Sequence, residues 1–207
     1  MRQTNNQSPA GNYYDKYSSS NPVARLLMRG FFRSFDAFLD EANPSTALDA
    51  GCGEGHLSLR MARRGITVSA CDISASCVAA TRSLLQSAGC AGSIFEADVC
   101  NVKACPAPDL VVCCEVLEHL PDPKAALDTL AGIGARSFIF SVPKEPLWRI
   151  LNLARGAYVK DMGNTPGHIQ HWNSNTFIRL VESKFKIVAV RHPLPWTMIL
   201  AKEKGKP

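Results

Sequence analysis

The ten residues ALDAGCGEGH, 47 to 56, constrain this chain more than any other stretch. An apolar run ends at Asp49 and Ala50. Glycine then occupies positions 51, 53 and 55, and a helical pattern begins at once. Glycines at that density let a chain turn sharply between a buried strand and a helix, and let a ligand approach the backbone. Such turns cradle nucleotides against a helix N-terminus. A P-loop is excluded, because no Lys-Ser or Lys-Thr pair follows the glycines.

The rest of the chain repeats the same alternation. Strand-like apolar runs fall at 46–51, 66–73, 93–99, 109–116 and 136–143, with helical patterns at about 55–64, 75–88 and 123–133. Gly65 and Gly89 stand where helices stop, and Asp122-Pro123 supplies a cap and a first-turn proline. Asn21-Pro22 opens an amphipathic helix ahead of the first strand. Leu27, Phe31, Phe35 and Phe38 share one face of it, and Arg25, Arg29, Arg33, Asp36 and Asp40 another. Residues 185–203 read as two strands joined by a proline-containing turn. Alternation of this kind predicts an α/β fold: a mostly parallel sheet with helices on both faces, an antiparallel hairpin at the end and an extra N-terminal helix. A length of 207 residues suits one domain.

Composition narrows the class. Hydrophobic residues at 46% and charged residues at 20% describe a water-soluble globular chain, and no apolar run has the length of a membrane span. Residues 1–12 are rich in Asn, Gln and Ser and carry no apolar leader, so a disordered tail and a cytoplasmic location are expected. Eight cysteines with no Cys-x-x-Cys spacing read as reduced, mostly buried thiols and not as a zinc knuckle. A net charge of +5 permits an anionic partner without requiring one.

The ligand follows from the acidic residues around the turn. Asp49 before it and Glu54 within it would repel a pyrophosphate and attract a cation. Asp72 ends the second strand about twenty residues further on, where a carboxylate accepts from ribose hydroxyls. Asp98 ends the third, where an adenine amino group can be read. Adenosine, no phosphate and a positive charge together describe S-adenosylmethionine.

LDAGCGEG, DIS, EADV and CCEVLEHLPDP, in that order at successive strand ends, resemble the class I S-adenosylmethionine-dependent methyltransferases. The similarity is greatest to the O-methyltransferases of ubiquinone biosynthesis. The resemblance spans roughly residues 45–145 by motif and the remainder by element order. It implies a Rossmann-like seven-stranded sheet whose last strand is antiparallel. It also implies cofactor contacts at Asp49, Gly51, Gly53, Asp72, Asp98 and Cys114, with Cys52, Ile73, Val99 and Glu115 beside them. On this footing residues 13–207 form one methyltransferase domain. Residues 13–42, with Tyr13, Tyr14 and Tyr17, are its helical lid, and 144–173 its acceptor-side segment.

Methyl transfer from a sulfonium needs a nucleophile held in line and relieved of its proton. Glu115, Glu118 and His119 are spaced i, i+3, i+4 and would share a helical face able to hold Mg²⁺, Mn²⁺ or Zn²⁺. The string is similar to the Glu-x-x-Glu-His element of ubiquinone-type and small-RNA 2′-O-methyltransferases, where it is associated with a divalent metal. Metal-free members of the superfamily carry nearly the same string, so it leaves both arrangements open. In GNTPGHIQHWN, 163–173, His168 and His171 are candidate bases or ligands, and Trp172 can stack on a flat acceptor or fix the start of the next helix. In KEPLWRILNLARGAYVK, 144–160, the periodicity predicts one helix with Leu147, Leu151, Ala154 and Tyr158 as its apolar stripe. Trp148 and Tyr158 are then expected to line the acceptor pocket. The basic residues of that segment, Lys144, Arg149, Arg155 and Lys160, allow a weak, reversible contact with anionic lipid. The expected activity is methylation of a small molecule, at a hydroxyl oxygen. The alternatives are a non-catalytic S-adenosylmethionine-binding protein and an RNA methyltransferase. The latter is disfavoured by the mild charge and the lack of a basic-aromatic module.

Overall fold

The computed structural model describes residues 21–104, 106–154, 156 and 158–204. The expected tail 1–12, the first part of the expected lid (13–20, with its three tyrosines) and Arg155 lie outside the described residues. Seven strands form one sheet: β1 (Thr46–Ala50), β2 (Thr67–Asp72), β3 (Gly92–Glu96), β4 (Leu110–Cys114), β5 (Ser137–Pro143), β6 (Phe185–Arg191) and β7 (Trp196–Glu203). Their order is β3-β2-β1-β4-β5-β7-β6, with β7 antiparallel to both its neighbours and the other pairs parallel. Among the described residues the α-helices are α1 (Pro22–Ala42), α2 (His56–Ala62), α3 (Ala75–Ser87), α4 (Pro123–Ala131), α5 (Leu147–Ala154) and α6 (Ser174–Glu182). The expected architecture is therefore present, with strand and helix ends within three residues of those expected except in α5.

The helix signals act as read. Asn21 Oδ1 accepts from Val23 N at 2.8 Å, and Asp122 Oδ1 accepts from Lys124 N at 3.0 Å, so both helices start on a side-chain cap next to a proline. Gly65 and Gly89 close α2 and α3 in left-handed conformations. Helix α1 is a packed wall of the core. Phe31, Phe35 and Phe38 are fully buried, each worth roughly 1.5–3 kcal/mol of burial. Asp36, expected on the solvent face, turns instead to α2, where Arg60 Nε donates to it at 2.6 Å. Strands β4 and β5 are buried along their whole length, as central parallel strands are. Among the described residues, no helix is long and apolar enough to cross a membrane.

The acceptor-side helix departs from its expected form. It ends at Ala154, because the chain turns at Gly156 (φ 71), whose N–H bonds back to Leu153 O. Tyr158 lies beyond the helix in a left-handed conformation and so cannot extend an apolar stripe. The one buried residue of α5 is Asn152, 3% exposed, while Ile150 and Leu153 face outward.

Candidate functional site

Strand order reverses between β1 and β4: the chain leaves β1 for β2 on one side and reaches β4 on the other. A crevice opens outside the carboxyl ends of the strands at such a switch point. The glycine turn fills its floor. Gly51 N and Cys52 N both donate to Cys71 O, at 2.8 and 2.9 Å, which pins the turn to β2. Gly51 (φ 83) and Gly55 (φ 83) have left-handed backbones, and a Cβ on either would collide with Val116 or Thr81. Gly53 faces open space, with nothing within 4 Å of where its Cβ would be. That is the position at which a ligand can reach the backbone.

Three carboxylates follow β1, β2 and β3 towards this end of the sheet, one of them buried. Asp72 stands at the end of β2, its Oδ2 accepting from Gly53 N and its Oδ1 from Ser74 N, each at 2.9 Å. These bonds fix its orientation, and each oxygen has lone-pair capacity left for a further donor. Asp98 Oδ1 accepts from Cys100 N at 2.8 Å. Ile73, beside Asp72, is 63% exposed, an apolar surface available to a flat ring, whereas Val99 is buried. Asp49 is 2% exposed and accepts from Ser58 Oγ at 2.6 Å. Burial pushes its carboxyl up to about 6; the Ser58 hydroxyl restrains the rise and the charge of Asp72 adds to it. Burial likewise holds the Cys113 and Cys114 thiols well above the ordinary thiol value, which makes them poor nucleophiles.

The Asp49 carboxyl predicts a stability profile. Its folded-state value lies above the ordinary 3.8, so its stabilisation is fully present below pH 3.8 and is lost as pH rises through 6. The span is about 3 kcal/mol for the ligand-free protein. Asp49→Asn removes the titration, so its stability relative to wild type should climb between pH 4 and pH 7.5. Parallel denaturation profiles for the two proteins across that range would disprove it.

The EVLEHLP segment does not form the expected helix face. Glu115 continues the β4–β5 pairing through its N–H to Ser141 O at 2.9 Å and then turns left-handed, at φ 60. Its carboxylate swings towards β5 and β7, accepting from Ser141 Oγ at 3.0 Å and Trp196 Nε1 at 2.6 Å. Glu115 therefore leaves the expected metal set. Glu118 and His119 occupy a separate 3-10 turn, Leu117–His119, and are joined by His168 from the loop 163–173. One ligand atom from each of these three lies within 4.8 Å of the others. Glu118 is 1% and His168 8% exposed. His119 Nδ1 is 3.0 Å from Gly167 O, so Nδ1 is the donor there, and in the neutral ring Nε2 holds the lone pair. Two imidazoles and a carboxylate suit a transition metal better than Mg²⁺.

The loop is stitched to the turn beneath it. Ile169 N and Gln170 N both donate to Glu118 O, and Gln170 Nε2 donates to Leu120 O at 3.1 Å. His171 is not part of the cluster; its Nδ1 lies 3.6 Å from Glu145 Oε1. Burial raises the Glu145 carboxyl, against the opposing pull of the Arg149 backbone N–H and of His171. Trp172 packs on Phe177 of α6 at 5.9 Å, so it serves the start of that helix. Trp148 Nε1 donates to Thr165 Oγ1 at 2.9 Å, and its ring stacks 6.0 Å from that of His168. Trp196, Glu145, Asn152 and Thr165 had no motif to mark them. The lone amide in the apolar run of α5 was the one available signal.

A family model described as a methyltransferase domain matches residues 23–185. The chain is 32% identical over 120 residues to the ubiquinone biosynthesis O-methyltransferase of Aeromonas salmonicida (strain A449), covering 56% of this chain and 50% of that one. It is 33% identical over 118 residues to the protein of the same name from Azotobacter vinelandii (strain DJ / ATCC BAA-1303), covering 54% and 50%. The chain thus spans about half the length of these curated relatives. Among solved structures, the magnesium protoporphyrin IX methyltransferase of Synechocystis PCC 6803 with bound SAH is similar in fold. Its TM-score is 0.69 at 21% identity, over 90% of this chain and 89% of that one.

Proposed function

Because this chain belongs to the methyltransferase domain family, we propose that it moves a methyl group from S-adenosylmethionine to a hydroxyl oxygen of a small molecule. The observation that carries this reading is the Asp72 carboxylate, held beside the open face of Gly53 by two backbone N–H groups. Asp72 accepts from the ribose hydroxyls, Asp98 reads the adenine amino group and Ile73 covers the ring. The buried Asp49, with Glu54 of the turn, favours the cationic end. S-adenosylmethionine supplies a methyl already activated on its sulfonium, so these residues have only to bind and orient.

The acceptor side is read from Glu118, His119 and His168. Their donor set fits Mn²⁺, Fe²⁺ or Zn²⁺, and an ion there would lower the pKa of an acceptor hydroxyl and orient its oxygen. Glu118 supplies the carboxylate, His119 is aligned through Gly167, and His168 completes the set. A second reading rests on the His171–Glu145 contact, in which a carboxylate orients an imidazole as the base. The names of the curated relatives support oxygen as the methylated atom. The outward Ile150 and Leu153, with Val159, Met162 and the nearby Lys160, support weak contact with an anionic lipid surface.

The test is turnover. Incubated with S-adenosylmethionine and a panel of hydroxylated small molecules, the protein should release S-adenosylhomocysteine, and methoxy-blocked versions of the same molecules should give none. Tight cofactor binding with no turnover on any acceptor would leave a binding protein. Turnover confined to RNA, with steep salt dependence, would move the acceptor to nucleic acid.

A further inference from the structure

We propose that Trp148, Asn152 and Thr165 are positioning residues that set His168 against Glu118 and His119; this rests on the metal reading above. Apart from Arg149, helix α5 otherwise presents apolar side chains, yet the one it buries is an amide. Asn152 Nδ2 donates to Gly163 O at 2.8 Å and to Thr165 Oγ1 at 3.2 Å. Trp148, one turn earlier, donates its indole N–H to the same oxygen at 2.9 Å. Thr165 is 9% exposed, and two donors occupy both lone pairs of its hydroxyl. Its carbonyl accepts the N–H of His168 at 3.0 Å and closes a tight turn through Pro166 and Gly167. The hydroxyl thus joins the helix to the turn that carries the imidazole.

The ring itself is held on two sides. The Trp148 indole lies nearly parallel to the His168 imidazole, at 25° and 6.0 Å between centroids. His119 meets the same imidazole edge-on, at 78° and 4.9 Å. Asn164 Nδ2 donates to His168 O at 3.3 Å, which holds the backbone as well. At the start of the loop, Gly163 (φ 78) lies so close to Arg149 that a Cβ would come within 3.0 Å of its carbonyl carbon. Arg149 Nε donates across the same junction to Met162 O at 3.0 Å. Helix and loop therefore form one unit, and the unit sets where the third donor sits. Partners that orient a metal ligand without touching the ion typically change metal affinity by about 10- to 100-fold.

The experiment compares Thr165→Val and Asn152→Ala with Thr165→Ser in the full chain. Titrated with Mn²⁺ in a calorimeter, Thr165→Val and Asn152→Ala should bind it about 10- to 100-fold more weakly, and Thr165→Ser should stay near wild type. S-adenosylmethionine affinity should not change in any of them. In metal-free protein, the side-chain proton resonances of His168 should be displaced by the ring current of Trp148. That displacement should collapse in Thr165→Val and persist in Thr165→Ser. Folded Thr165→Val and Asn152→Ala variants with wild-type Mn²⁺ affinity and an intact displacement would overturn the proposal. If wild type takes up no Mn²⁺, the metal reading falls alone, and the ring-current arm still decides whether these residues place His168. If Thr165→Val does not fold, Trp148→Phe keeps a ring, lacks the N–H, and should bind Mn²⁺ more weakly than wild type.

Discussion

Chelation, or replacement of His168 by alanine, is expected to lower methyl transfer by at least about a hundredfold while leaving S-adenosylmethionine affinity unchanged. His168 is one of three donors in a cluster that includes the buried Glu118. Its loss leaves an imidazole and a carboxylate, too few to hold an ion firmly. Mn²⁺ or Zn²⁺ should restore the chelated wild-type protein, with Mg²⁺ weaker, because two of the donors are nitrogen. The alanine variant should not recover at ordinary metal concentrations. The measurement is initial rate against free metal, with cofactor affinity measured separately by calorimetry. Full activity after exhaustive chelation would remove metal from the reaction and favour His171 and Glu145 as the proton acceptor.

Asp72→Ala should weaken S-adenosylmethionine binding by at least about a hundredfold, because it removes charged hydrogen bonds worth about 1.5–3 kcal/mol each. Two effects combine. The ribose loses its acceptor, and the Gly53 and Ser74 N–H groups lose theirs, so the floor of the crevice loosens. Asp72→Asn should fall between, since its amide keeps one oxygen. Calorimetry on folded protein reads the affinity, and an unchanged dissociation constant for the alanine variant would exclude Asp72 from the cofactor site.

The residues whose position along the strands is legible in the sequence are those whose neighbours in space are also neighbours in the chain, or lie one strand away. The glycine turn, Asp49 and Asp72 sit at strand ends and Asp98 two residues past the end of β3, and strand ends are legible from apolar runs and caps. Glu115 was misplaced because a spacing of three and four residues groups side chains only if the backbone is helical there. Its left-handed turn at the end of β4 sends the carboxylate to Ser141 and Trp196, the latter 81 residues away in sequence. His168 is joined to Glu118 by loop docking, through Gly167 and Ile169, and no periodicity encodes such a contact. The acceptor-side helix was drawn too long because its apolar pattern continues past Gly156, where a left-handed residue ends it. The polar Asn152, which lies off the expected apolar stripe, is what anchors it.

The two halves of the site are attached to the protein in different ways. The glycine turn, Asp72 and Asp98 hang from β1, β2 and β3, whose register is shared with every strand of the sheet. The loop 163–173 hangs from local bonds, among them those of Thr165, Asn152, Gln170 and His119 and those of Ile169 and Gln170 to Glu118 O. A change in the first half disturbs the whole sheet, so that half is hard to alter piecemeal. A change in the second alters a handful of contacts and leaves the sheet as it was. On the proposed reading, acceptor choice would rest on some thirty residues, 144–173, which can be rewritten while the strands beneath the glycine turn stay as they are.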